Sequence, residues 1–160
     1  MHNSENTADP THALRNGLSV SQDGPVTLLR LSRPAKRNAL DREMIAGIED
    51  FFRSPPDGTR AVVLHGEGSN FSAGLDLSNV ADISVAEGIS HSRAWHRAFE
   101  QIEYCQVPVV VVMHGAVIGG GLELAAAAHI RVAERSAYYA LPEGKYGIFV
   151  GGGVRCGSRA

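Results

Sequence analysis

The sequence predicts an α/β fold, and three observations predict it. Short apolar runs of strand length alternate with segments whose apolar residues recur at helical spacing. Pro, Gly, Asn and Asp punctuate the boundaries between them. The 160 residues, 44% of them hydrophobic, are enough for one domain with a sizeable core. Strand–strand–helix repeats suit a spiral as well as a doubly wound sheet, and periodicity alone does not choose between them.

The elements follow in order. Residues 1–16 are polar, with Asn, Ser, Thr, Asp and Pro, and read as a disordered tail ahead of a core spanning 17–153. Val26–Leu31 is a strand bounded by Asp23-Gly24-Pro25 and Pro34. A polar loop follows. Leu40, Met44, Ile45, Ile48, Phe51 and Phe52 then share one helical face, Asp41 suits the N-cap, and Ser54-Pro55-Pro56-Asp57-Gly58 stops the helix. Ala61–Leu64 is a strand ending at His65-Gly66, and a Gly- and Ser-containing loop leads to FSAGLDL, residues 71–77. Val80–Ile89 fits a loop or a loose helix. From His91 to Tyr104, Ala94, Trp95, Ala98, Phe99 and Ile102 line one face of an amphipathic helix. Pro108 opens the strand Val109–Met113, and a loop from His114 to Gly121 leads into the helix Leu122–Ala128. Ile130–Ala133 and Ala137–Ala140 are short strands.

The bulk properties exclude several classes of function. Lys and Arg number 15 against 17 Asp and Glu, giving a net charge of -2 with both signs mixed along the chain. Neither nucleic acid nor an anionic membrane surface is an expected partner. The most apolar stretch, 107–128, approaches the length of a membrane span, but it carries His114, Glu123 and several glycines and reads as strand, loop and helix. The N-terminus lacks the apolar core of a secretory signal. Cys105 and Cys156 form no CxxC and have no His at ligand spacing. They read as two free thiols in a reducing cytoplasm, with no metal site.

Four segments carry chemistry. Gly119-Gly120-Gly121 opens a helix directly after a buried strand. Helix N-termini present unpaired N–H groups, and glycine admits a ligand close to the backbone, which suits an anion or a developing oxyanion. A tight turn requiring positive φ explains the same triplet. The nucleotide-binding patterns GxGxxG and GxxxxGK[ST] are absent at this place. Glu123 lies among Leu and Ala, so it is solvent-facing, paired or functional. Glu143 lies in Leu141-Pro142-Glu143-Gly144 and is either an ordinary turn acid or a site acid. In FSAGLDL, Gly74 permits a bend that turns the Leu75 N–H toward a pocket, and Asp76 reads as a local turn or cap residue. His114 reads as a packing residue, and His65, His91, His96 and His129 show no partner pattern.

Together these segments resemble the crotonase superfamily of enoyl-CoA hydratases and isomerases. RPAKRNAL (33–40) resembles the loop before the family's first long helix, and FSAGLDL its first oxyanion-hole motif. PVVVVMHGAVIGGGLELA (108–125) resembles the segment carrying the second oxyanion donor and the first glutamate, and ALPEGKYGI (140–148) resembles the second glutamate's turn. The resemblance runs from about Val26 to Gly153.

It implies a crotonase-like β/α spiral of repeated ββα units without the family's C-terminal helical region. It also implies that the Leu75 and Gly120 amides form an oxyanion hole for a thioester oxygen, with Glu123 and Glu143 as the acid–base pair of a hydratase. Ala73, Gly74, Asp76, Leu77, Ser78 and Gly119 would then border the acyl-CoA, and Ala35, Lys36 and Arg37 would lie near its adenine end. No cofactor is implied, because coenzyme A arrives as part of the substrate. Isomerisation or thioester hydrolysis on the same site, or a non-catalytic remnant, are the alternatives. A longer form would be a homotrimer or dimer of trimers.

The last residues depart from the family. After Gly151-Gly152-Gly153 the family continues with another glycine and then Ser-Val-Arg-Leu-Pro-Arg, whereas this chain reads Val154-Arg155-Cys156-Gly157-Ser158-Arg159-Ala160. Restoring one nucleotide among the glycine codons permits the family's residues in order. Residues 154–160 therefore read as a frameshift product, and the 160-residue chain is expected to be a poor enzyme.

Overall fold

The computed structural model describes residues 12–14, 17–79 and 84–146. The strands β1 (His12–Leu14), β2 (Leu18–Asp23), β3 (Val26–Leu31), β4 (Ala61–Gly66), β5 (Val109–Met113) and β7 (Ile130–Ala133) form one sheet in the order β1-β2-β3-β4-β5-β7. β1, β2 and β3 pair antiparallel, and β3, β4, β5 and β7 pair parallel. Two further strands, β6 (Ala116–Ile118) and β8 (Tyr138–Ala140), pair parallel in a second small sheet. The helices are α1 (Arg42–Arg53), α2 (Val85–Glu103) and α3 (Gly120–Ala127).

Chain order converts these pairings into a spiral. Each turn places one strand in the large sheet, then one extended segment in a second layer, then a helix. The first turn is β3, Leu40 and α1, and the second is β4, the 72–75 segment and α2. The third is β5, β6 and α3, and the fourth begins with β7 and β8. The second layer is continuous through the parallel bridges Leu40↔Leu75 and Ser72↔Val117 and the pairing of Val117 with Tyr139. The repeated ββα spiral is thus the architecture, rather than a doubly wound sheet.

Period-two alternation builds the core. Leu29, Leu31, Val62, Leu64, Val109 and Val111 alternate with half-exposed neighbours along β3, β4 and β5, and all are fully buried. They form one cluster with Met44, Ile45, Ile48, Phe51 and Phe52 of α1 and with Trp95, Ala98, Phe99 and Ile102 of α2. The Asp41 carboxylate caps α1 by accepting the Met44 amide at 2.9 Å. Ser84 and Glu87 close a reciprocal capping box on α2. Glu49 of α1 pairs with Arg97 of α2 at 3.4 Å, so the two helices are joined at the surface as well as in the core.

Several expectations need correction. His12–Leu14 of the expected disordered tail is a strand, because its backbone pairs with β2. The segment expected as loop or loose helix is helical from Val85, where the Ser84 cap begins α2 well before the apolar stripe. A strand, β6, interrupts the expected 114–121 loop, held by backbone bonds such as Ile118 N–H to Ser72 O at 3.0 Å. α3 starts at Gly120 rather than Leu122. Residues 80–83 and the expected frameshifted tail lie outside the described residues. No helix among the described residues is long and apolar enough to cross a membrane.

Candidate active site

The site is assembled where the second layer meets the start of α3. In the bridge between Leu40 and Leu75, Leu40 N–H donates to Gly74 O at 2.7 Å and Asp76 N–H donates to Leu40 O at 2.9 Å. A parallel ladder that bonds residues 74 and 76 to one neighbour turns the N–H of residue 75 to the other side. The Leu75 amide therefore faces away from Leu40, and it donates to no protein acceptor among the described residues.

The residues that hold this loop come from the polar segment before α1. Asn38 is fully buried and adopts a positive φ of 53°. Its side chain accepts the Arg33 amide at 2.9 Å and donates to the Glu67 and Asn70 carbonyls at 2.9 and 2.8 Å. Its own carbonyl accepts the buried Ser72 hydroxyl at 2.8 Å, and Ser72 Oγ in turn accepts the Gly74 amide at 3.1 Å. Asp76 ties the same two segments together by charge. One carboxylate oxygen meets Arg33 at 3.1 Å and Lys36 at 3.2 Å, and the other accepts the Ser78 hydroxyl at 2.6 Å and the Ser78 amide at 3.2 Å. The Ser78 hydroxyl, then Lys36, the Ser78 amide and Arg33, hold the Asp76 carboxyl far below the usual carboxylate range against the opposing effect of burial. Ala35, Lys36 and Arg37 are exposed beside this cluster, as are Leu77 and Ser78.

α3 opens on Gly119, whose φ of 50° and ψ of -122° are accessible essentially to glycine alone. Its N–H donates to Ala140 O at 2.8 Å, which fastens the start of α3 to the end of β8. Its carbonyl accepts the amides of Leu122 and Glu123 at 2.8 and 3.0 Å. The Gly120 amide, by contrast, has no protein acceptor among the described residues.

Each of the three glycines is pressed by a different neighbour. A methyl group at Gly119 would strike the Glu143 carboxylate, at Gly120 the Trp95 ring, and at Gly121 the Ser72 side chain. A methyl carbon at Gly74 would lie 3.3 Å from the Gly120 nitrogen, so the chain carrying the Leu75 amide packs directly on the start of α3.

Both glutamates reach this end of the helix. Glu143 follows β8 in a short 3-10 turn, and its carboxylate rests against Gly119. Its Oε2 is buried without a hydrogen-bond partner among the described residues. Glu123 is 4% exposed and stands one turn after Gly119. Helical side chains lean toward the N-terminus, and Glu123 lies in the first turn of α3, the end at which the Glu143 carboxylate meets Gly119.

Of the thirteen residues expected at the site, the start of α3 gathers Gly74, Leu75, Gly119, Gly120, Glu123 and Glu143. Ala35, Lys36, Arg37, Ala73, Asp76, Leu77 and Ser78 form the adjoining double segment, joined by the bond from Ala73 N–H to Arg37 O at 2.9 Å. His114 donates from Nε2 to the loop carbonyl Gly68 O, 3.0 Å away, in keeping with its packing role. Sequence reasoning missed Asn38 and Ser72, whose positive φ and buried hydroxyl leave no periodic signature, and placed Trp95 in the core without its contact to Gly120.

Comparison with known proteins gives a consistent set. The enoyl-CoA hydratase/isomerase family model matches residues 21–157. A probable enoyl-CoA hydratase of Bacillus subtilis is 34% identical over 139 residues, covering 85% of this chain and 54% of that protein. The crystal structure of a Rhodopseudomonas palustris protein assigned to the enoyl-CoA hydratases is similar at a TM-score of 0.83 and 57% identity, over 90% of this chain and 56% of that one. A Thermobifida fusca protein with the same assignment, solved in complex with acetoacetyl-CoA, is similar at a TM-score of 0.77 and 27% identity, over 84% of this chain and 57% of that one. The chain thus spans about half the length of the relatives it matches.

Proposed function

The chain belongs to the enoyl-CoA hydratase/isomerase family of crotonase fold, and from that premise we propose that it carries the site for adding water across a 2,3-unsaturated acyl-CoA. The thioester oxygen accepts from the Leu75 and Gly120 amides. One of Glu123 and Glu143 takes a proton from water as its oxygen attacks C3, and the other returns a proton to C2 of the resulting enolate. The coenzyme A moiety runs beside Asp76–Ser78, with its adenine toward Ala35–Arg37.

The physical chemistry supports the division of labour. A thioester α-carbon is a weak acid, so the enolate needs fixed donors, and one such donor is worth about 2.7–4 kcal/mol in other enzymes. The N-terminal end of α3 adds the positive end of its dipole. Hydration needs a base for water and an acid for carbon, and two carboxylates supply both. The observation that carries the reading is the Glu143 carboxylate set against Gly119, one oxygen buried and without a partner among the described residues, at the helix end that presents the Gly120 amide and buries Glu123. A homotrimer or dimer of trimers of a longer form goes with this reading, and sedimentation velocity on that form reports it directly.

Glu123→Gln and Glu143→Gln test the proposal. In a longer form that hydrates enoyl-CoA, each should lower kcat for a short 2-enoyl-CoA by roughly 10²–10⁴-fold. Thioester affinity should be nearly unchanged, because the oxygen is held by backbone. Isomerisation needs only one carboxylate to carry a proton between carbons. Near-normal turnover in either variant moves the assignment there or to thioester hydrolysis.

A further inference from the structure

The triplet's middle glycine is covered by a residue that the chemistry above does not use. Trp95 of α2 is 6% exposed, and the edge of its six-membered ring lies where a Gly120 side chain would begin. Three contacts fix the orientation of this indole. Its benzo edge abuts Gly120. Phe99 packs edge-to-face against it, with ring centroids 5.6 Å apart. Its Nε1–H donates to His91 Nε2 at 3.2 Å, the two rings lying 5.7 Å apart. To accept that bond, His91 must be neutral with its proton on Nδ1. Burial, and after it the Arg42 charge, lower the His91 pKa and so favour this form.

A large apolar plate fixed beside the Gly120 Cα, next to that residue's amide, has a defined consequence. It excludes water from one side of that amide and lowers the local dielectric, which strengthens the hydrogen bond the amide gives to a developing negative charge. It also leaves α3 no room to shift along Trp95, because the Gly120 backbone is already in contact with the ring. We infer that Trp95, held by His91, is a positioning residue that fixes and dries the Gly120 amide for a thioester oxygen. The inference rests on the acyl-CoA reading of the site and adds to it a residue outside the motifs that carry the family resemblance. It acts through Gly120 and contributes no proton.

Trp95 is the chain's single tryptophan, so its emission reports on this contact without any substitution. The test titrates the unmodified protein with crotonyl-CoA and separately with free coenzyme A, recording tryptophan emission and, in parallel, heat of binding. Crotonyl-CoA is expected to bind and to change both intensity and emission maximum, whereas coenzyme A, which lacks the acyl group, leaves emission unchanged. Binding of crotonyl-CoA with no change in emission overturns the inference alone. Absence of crotonyl-CoA binding overturns the acyl-CoA reading and the inference with it.

Trp95→Ala and Trp95→Phe extend the test through the infrared carbonyl stretch of the bound thioester. The unmodified protein should shift that band to lower frequency. Trp95→Ala should lose a large part of the shift, and Trp95→Phe, which keeps an aromatic face on Gly120, should restore most of it. An unaltered shift in Trp95→Ala contradicts the inference. Should that variant fail to fold, the emission titration still decides.

Discussion

Gly119→Ala is the most informative single substitution, because it separates backbone strain from a specific collision with Glu143. Residue 119 sits at φ 50° and ψ -122°, where a Cβ costs about 1–3 kcal/mol. The added methyl also strikes the Glu143 carboxylate, coming within 3.4 Å of its Cδ and 3.9 Å of the Pro142 ring. Relief requires moving either the 142–143 turn or the bond from Gly119 N–H to Ala140 O at 2.8 Å, whose loss adds about 0.5–1.5 kcal/mol. The total is about 2–4 kcal/mol. At roughly 2–4 °C per kcal/mol for a chain of this size, the melting temperature should fall by roughly 5–15 °C.

Gly24→Ala is the control, since Gly24 has a φ of 55° and nothing within 4 Å of an added methyl. It should cost clearly less. The decisive comparison is Gly119→Ala made in a Glu143→Ala background, followed by thermal unfolding. Removing the carboxylate should recover about 1 kcal/mol of the loss, as expected of residues in contact. Strict additivity of the two substitutions would refute the placement of Glu143 against Gly119.

Three further outcomes follow from the geometry. Asn38→Ala removes the three hydrogen bonds of a buried side chain and leaves a methyl at positive φ, so stability should fall by about 2–4 kcal/mol in urea unfolding; a loss below about 1 kcal/mol would contradict its role as the tie between the two loops. Asp76 has a folded pKa far below its unfolded value near 3.9, so its contribution to stability is fully present above that value and is lost progressively as pH falls below it. Asp76→Asn should therefore lower stability at neutral pH and flatten the dependence of stability on pH between about 5 and 2; an unchanged slope would argue against the cluster. Ile130, Val132, Tyr138, Tyr139 and Leu141 are all exposed along β7 and β8, and β7 is an edge strand among the described residues, so light scattering should show concentration-dependent association that Val132→Lys reduces.

What the sequence made legible follows from how local each signal is. α1 was readable because its apolar residues share one helical face and Asp41 caps it, both local properties, and it occupies Arg42–Arg53. β6 and β1 were not, because three residues carry no period and exist only through pairing with distant backbone. The start of α2 was available in Ser84 and Glu87, a capping-box spacing, but its first turns are largely exposed and lack the apolar stripe that marks the rest. The glutamates were each ambiguous for a similar reason. A turn acid and a site acid look alike in sequence. The difference for Glu143 is its contact with Gly119, 24 residues away, which only the closing of the spiral creates. Trp95 was legible as an apolar residue on a helical face; that it lies on Gly120 was not.

The central claim is that water adds to C3 of an enoyl thioester between two carboxylates. The most direct test incubates the protein with crotonyl-CoA in ¹⁸O-labelled water and reads the products by mass spectrometry. Hydration predicts one labelled oxygen in an intact 3-hydroxyacyl thioester, with no free coenzyme A thiol, and loss of that product in Glu123→Gln and Glu143→Gln. Label appearing in a free carboxylate with release of coenzyme A, or a folded, thioester-binding protein that incorporates no label at all, would contradict it.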